Sequence, residues 1–177
     1  PQPPYRLHRI EALLRARRDH DVASMQAMHR DVVSLQGLSL RKAFVNALPD
    51  GELRATLRHW DGCYDVDSVG AHAFELAYRS ALRGLAPSLG GEWFRTMLRD
   101  TELGTWWASG LDRLLADEVS WQGQRGADLG AALADIGQAQ PVRWGDVQSV
   151  RLDHLVFGAF PRLMRLHRGP YELPGGR

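Results

Sequence analysis

The sequence predicts a mainly α-helical fold, and three observations carry that expectation. Apolar residues recur at spacings of three and four along most of the 177-residue chain. No alternating apolar and polar run is long enough for a sheet strand. Clusters of glycine, proline and aspartate interrupt the periodic stretches at helix-length intervals.

Taken in order, residues 6–18 place Leu7, Ile10, Leu13 and Leu14 on one face and arginines on the other. Residues 22–38 carry Val22, Met25, Met28, Val32 and Leu35, with Asp19 and Asp21 as N-terminal caps. A third helix is expected over 39–48, stopped by Pro49-Asp50-Gly51, and a fourth over 52–60 with Leu53, Leu57 and Trp60 on one stripe. Asp61-Gly62 closes it as a tight turn. A long helix over 69–85 is closed by Pro87, and shorter helices are expected over 92–99, 104–117 and 127–136. Arg151 to Leu155 fits an extended or a helical reading. A last helix is expected over 160–167, and 169–176 runs out as a loop.

Composition excludes several classes. Hydrophobic residues are 44% and charged residues 24%, an ordinary globular balance. The 22 basic and 21 acidic side chains give a formal charge of +1, which offers no field for nucleic acid. No stretch approaches the roughly 20 apolar residues of a membrane helix. The single cysteine, Cys63, cannot form an internal disulfide, which leaves the compartment open. Pro1-Gln2-Pro3-Pro4 and Gly175-Gly176-Arg177 both read as opened loops, so an excised or processed segment is expected.

The residues show little chemistry of their own. The seven histidines never form the paired helix motif of a zinc protease and read as surface or capping groups. Asp61, Asp65 and Asp67 resemble the start of a calcium loop, but the sixth position lacks glycine and the twelfth holds His72. They read as turn caps. Gly123, Gly126 and Gly130 have the wrong spacing for a phosphate loop. No Gly-x-Ser-x-Gly elbow is present. Cys63 reads as a buried small hydrophobe, and the six tryptophans as core anchors.

Three ordered stretches resemble the penicillin acylase (penicillin amidase) family of N-terminal nucleophile hydrolases. Tyr5-Arg6-Leu7-His8-Arg9-Ile10-Glu11-Ala12-Leu13-Leu14 is similar to that family's Arg-x-x-Arg-Ile-x-x-Leu-Leu helix, and Gln26, Asp31 and Ser34 follow its Gln…Asp…Ser pattern. Leu57-Arg58-His59-Trp60-Asp61-Gly62, with Asp67-Ser68 and Ala71-His72-Ala73-Phe74, is similar to its Leu-x-x-Trp-Asp-Gly … Ser-x-x-Ala signature. Trp144-Gly145-Asp146, His154, Gly169-Pro170 and Leu173-Pro174-Gly175-Gly176 resemble its tryptophan-glycine, histidine and Pro-Gly-Gly sequence. The stretch from Gly84 to Gly137 carries no motif.

The resemblance implies a helical scaffold segment of a larger αββα enzyme, with residues 1–177 falling in the large-subunit region. Family enzymes are exported precursors that cleave themselves. The new N-terminal serine attacks the amide, with its own α-amino group as base, and that amine titrates at roughly 7.7–8.0. Backbone and asparagine donors hold the oxyanion. By this resemblance the nucleophile and the oxyanion asparagine lie before residue 1, so no catalytic residue is expected in this chain. Arg6 corresponds to the family arginine linked to substrate handling and processing; its guanidinium offers a fixed fork of donors. Trp60, Asp61 and Gly62 are expected to be structural: an anchor, a turn cap and a positive-φ residue.

The resemblance further implies an acylated amine as substrate, such as a β-lactam side chain or an acyl-homoserine lactone, and the rest of the enzyme as partner. No cofactor or metal is expected here, any family calcium lying outside the segment, and the compartment implied is periplasmic or extracellular. Two rivals are a stand-alone helical interaction module, which would be monomeric or cleanly oligomeric with cooperative unfolding, and a helical DNA-binding regulator, which the near-neutral charge disfavours.

Overall fold

The computed structural model of the chain describes residues 4–100, 103–117, 124–152 and 168–176, with side chains described outside 86–106 and 124. The described fold is mainly helical. Its order is α1 (Tyr5–Arg15), α2 (Val22–His29), α3 (Leu35–Ala47), α4 (Glu52–His59), α5 (Val69–Asp100), α6 (Leu103–Ala116), α7 (Gln124–Ala134), α8 (Trp144–Val147), β1 (Ser149–Leu152) and β2 (Arg168–Glu172).

The core is built around the first half of α5. Ala73, Phe74, Ala77, Tyr78 and Ala81 are buried there against Leu40 and Phe44 of α3, Leu53 and Leu57 of α4, Leu111 and Leu115 of α6, and Leu129 and Leu133 of α7. Each such leucine contributes about 2 kcal/mol relative to exposure. At Gly84 a Cβ would come within 2.5 Å of the Ala132 Cβ, so the missing side chain lets α5 and α7 approach closely. An aromatic series runs through this core. Phe74 stacks on Trp60 and Tyr78 at centroid distances of 5.1 and 5.7 Å. Tyr64 meets Trp60 and Trp144 edge-on at 5.4 and 5.1 Å.

Four expectations need correction. The stripe expected over 22–38 is broken: α2 ends at His29, Val33 forms an antiparallel bridge with Cys63, and α3 begins at Leu35. Asp21 and Ser24 form a capping box on α2, while the Ser34 hydroxyl accepts from the Gly37 N–H and starts α3 anew. Second, α5 does not stop at Pro87 but continues to Asp100. Pro87 removes the helical donor for the Arg83 carbonyl. One residue earlier, Trp107 Nε1 donates to the Leu82 carbonyl at 3.1 Å, tying α6 to this turn.

Third, residues 149–152 and 168–172 are strands. β1 and β2 pair antiparallel, with Val150 opposite Tyr171 and a register irregularity before Leu152. All of β2 is exposed, and in β1 only Val150 is partly covered, so no inward and outward alternation exists to reveal the ribbon in the sequence. Fourth, Cys63 is only partly covered rather than buried. The helix expected over 160–167 lies outside the described residues.

Trp60 and Trp144 are buried and Trp107 is partly buried against the core. No helix among the described residues is long and apolar enough to cross a membrane.

Candidate functional site

Arg6 and Arg9 stand three residues apart on α1, so both guanidinium groups leave the same face of the helix. Both reach Asp31, two positions past the end of α2. Arg9 makes a two-pronged pair with its carboxylate, Nε to Oδ1 at 2.9 Å and Nη2 to Oδ2 at 2.5 Å. Arg6 Nη1 lies 3.5 Å from the Asp31 carbonyl. The Arg9 fork holds the Asp31 carboxyl below the usual carboxylate range.

These residues border an open cleft of about 780 Å³. Its floor is polar. Asp112 of α6, 4% exposed, accepts Gln36 Nε2 on both oxygens at 3.0 and 2.8 Å and the Tyr78 hydroxyl at 2.8 Å. Tyr5 forms part of the wall, its phenol pushed above its ordinary value by burial. Tyr64 and Pro174-Gly175-Gly176 close the far side.

A belt of hydrogen bonds joins this wall to the rest of the chain. The Ser34 N–H donates to the Gly62 carbonyl at 2.8 Å, and the Tyr64 N–H to the Val32 carbonyl at 3.0 Å. The Gly175 N–H donates to the Tyr64 carbonyl at 2.8 Å, and Trp144 Nε1 to the Gly175 carbonyl at 3.0 Å. The Arg-x-x-Arg-Ile helix, the Trp-Asp-Gly turn, the Trp-Gly pair and the Pro-Gly-Gly tail thus meet within one assembly. The sequence model of the Penicillin amidase family matches residues 1–177, the whole chain. The chain belongs to the penicillin amidase family. No curated protein shows a significant match.

The turn that resembles the penicillin amidase signature has a clear local logic. Trp60 follows α4, is buried, and donates from Nε1 to the Cys63 carbonyl at 3.0 Å. Asp61 is exposed, and its Oδ1 accepts the Cys63 N–H at 2.9 Å. Gly62 has φ +85°, and a Cβ there would come within 2.7 Å of Leu38. Arg41 Nη1 donates to the Trp60 carbonyl. This turn stands behind the cleft wall and does not line the opening, whereas Arg6 does.

Burial pushes the Cys63 thiol up, which disfavours the thiolate a nucleophile needs. Ser34 lines the cleft, but its hydroxyl is engaged in the α3 cap. Asp65 caps the Val66 N–H at 2.7 Å, and Asp67 pairs with Arg143 at 2.7 Å. Among the described residues no group of three His, Cys, Asp or Glu could hold a metal ion.

Sequence reasoning did not find Asp112, Gln36, Tyr5 or Tyr78. Gln36 and Asp112 are 76 positions apart, and neither stands in a motif, so only the packing of α3 on α6 brings them together. His154 lies outside the described residues.

Proposed function

We propose that this chain is the helical scaffold and part of the pocket wall of an exported amidohydrolase. Such an enzyme cleaves the amide bond of an acylated amine, a β-lactam side chain or an acyl-homoserine lactone. The observation that carries the reading is the family match across all 177 residues. A second feature supports the role of a part within a larger enzyme. α1 contains no buried residue, and Leu7, Ile10 and Leu14 are 55%, 40% and 41% exposed; in α2, Val22 is 75% and Met25 41% exposed. Large apolar side chains left open in this way are what a further part of the enzyme would cover.

In this reading the nucleophile, its α-amino base and the oxyanion donors come from elsewhere in the polypeptide. The isolated chain is inactive. Its partners are the small subunit and the remainder of the large subunit, and no cofactor, nucleic acid or membrane takes part. Arg6 presents its guanidinium to the carboxylate or carbonyl groups of a substrate or of the processing segment. The compartment is the periplasm or the extracellular medium.

The test is N-terminal sequencing of the mature polypeptides made from the complete gene. The reading expects a chain beginning with Ser, Cys or Thr, released by self-cleavage upstream of Pro1, and loss of cleavage when that residue becomes Ala. A product with no such N-terminus contradicts it.

A further inference from the structure

We infer that Asp31 is a positioning residue, gripped by Arg9 so that its backbone carbonyl holds Arg6 at the mouth of the cleft. This rests on the role proposed above for Arg6, and it assigns the second arginine of the helix motif and the aspartate of the Gln…Asp…Ser pattern to one device.

Four observations carry the inference. Asp31 meets both arginines of α1, Arg9 through its carboxylate and Arg6 through its carbonyl. The pair is largely withdrawn from water, with the Arg9 and Asp31 side chains 25% and 14% exposed, so it is stronger than a solvated surface pair. Asp31 directly precedes the extended segment in which Val33 bridges Cys63. That segment is itself anchored by the Ser34–Gly62 and Tyr64–Val32 backbone bonds. Arg6 is therefore located by a chain of contacts that ends in the core, whereas α1 buries no residue of its own to hold it. A helix without buried anchors depends on such polar ties for its placement.

Arg9 is suited to the grip because its fork fixes an angle as well as a distance. A lysine would supply the charge without that constraint. Asparagine at 31 would keep the shape and one acceptor but lose the two-pronged pair.

Two experiments on the complete gene product test this. The first reads kcat/KM for a chromogenic anilide. Asp31→Asn is expected to lower it about tenfold in the wild-type background, and by less than twofold when Arg6 is already Met. Equal losses in both backgrounds would overturn the inference, because Asp31 would then act independently of Arg6. No loss in either would overturn it as well. The second reads amide hydrogen exchange, which needs no activity. Arg9→Met and Asp31→Asn should each speed exchange across residues 8–15 at least tenfold while leaving residues 39–47 protected. Unchanged exchange in α1 overturns the inference, and protected 39–47 certifies that the variant is folded. If the wild-type product hydrolyses no amide, the proposed function fails, and the exchange result alone decides whether Asp31 holds α1.

Discussion

The indole of Trp60 lies against Gly70 so closely that a Cβ built there would stand 2.3 Å from ring carbon Cδ1. The other edge of the ring faces Gly37, where a Cβ would stand 2.5 Å away. The first turn of α5 and the first turn of α3 thus approach the same tryptophan from two sides. Gly70→Ala should cost about 2 kcal/mol by overpacking a buried ring. Gly110→Ala in α6 is the counterpart, because a Cβ there meets nothing within 4 Å. It should add about 0.5–1 kcal/mol through helix propensity. Thermal unfolding of the two variants should move in opposite directions.

The carboxylate of Asp112 satisfies Gln36 and Tyr78 beneath the cleft. Asp112→Ala would remove the acceptor shared by Gln36 and the buried Tyr78 hydroxyl and should cost about 2 kcal/mol. Asp112→Asn keeps an acceptor for the Tyr78 hydroxyl and should cost less than half as much. Urea unfolding at neutral pH measures both, and equal losses would show that a single amide oxygen cannot stand in for the carboxylate.

His72 gives the fold a pH dependence. Its Nδ1 accepts the Val142 N–H at 2.9 Å, which requires an unprotonated ring nitrogen. Burial lowers its pKa, nearby Arg79 lowers it further, and Glu75 opposes them. The folded state therefore holds the proton less tightly than the unfolded chain, whose histidine titrates near about 6.5. The stabilisation is complete above that pH and is lost as pH falls below it, levelling off under the folded-state pKa. In His72→Asn the amide oxygen can accept the same N–H without titrating. The wild type should lose urea resistance between pH 7.5 and 5 more steeply than this variant.

Trp144 secures the tail. Its Nε1 donates to the Gly175 carbonyl, and a Cβ on Gly176 would come within 2.8 Å of the Tyr64 ring. Trp144→Phe keeps the aromatic bulk but deletes the donor and should cost about 1 kcal/mol. The expected readout is faster proteolytic trimming at 173–176 with a fall of about 2–4 °C in melting temperature. Loss of the whole fold would mean that the indole carries more of the core than one hydrogen bond.

Much of this was legible from local pattern. The stop of α3 before Pro49-Asp50-Gly51 and the start of α5 after the aspartate-rich turn follow from turn chemistry that acts within a few residues. What escaped depends on distant partners. The apolar stripe over 22–38 continues through Asp31, but the break there is set by Arg9 and by the pairing of 32–34 with 62–64. Pro87 signals a helix end, yet α5 runs on to Asp100. The β1–β2 ribbon has solvent on both faces and so carries no periodic mark. In the cleft, Arg6 was identifiable from its motif, while the floor around Asp112 exists only through tertiary packing.

The central claim is that this chain completes an amide hydrolase whose chemistry resides elsewhere in the same polypeptide. The most direct measurement compares amine release from an acylated amine by the complete gene product and by residues 1–177 alone. The account predicts turnover by the complete product and none by the isolated chain. Turnover by residues 1–177 alone, or no turnover by the complete, processed product, would contradict it.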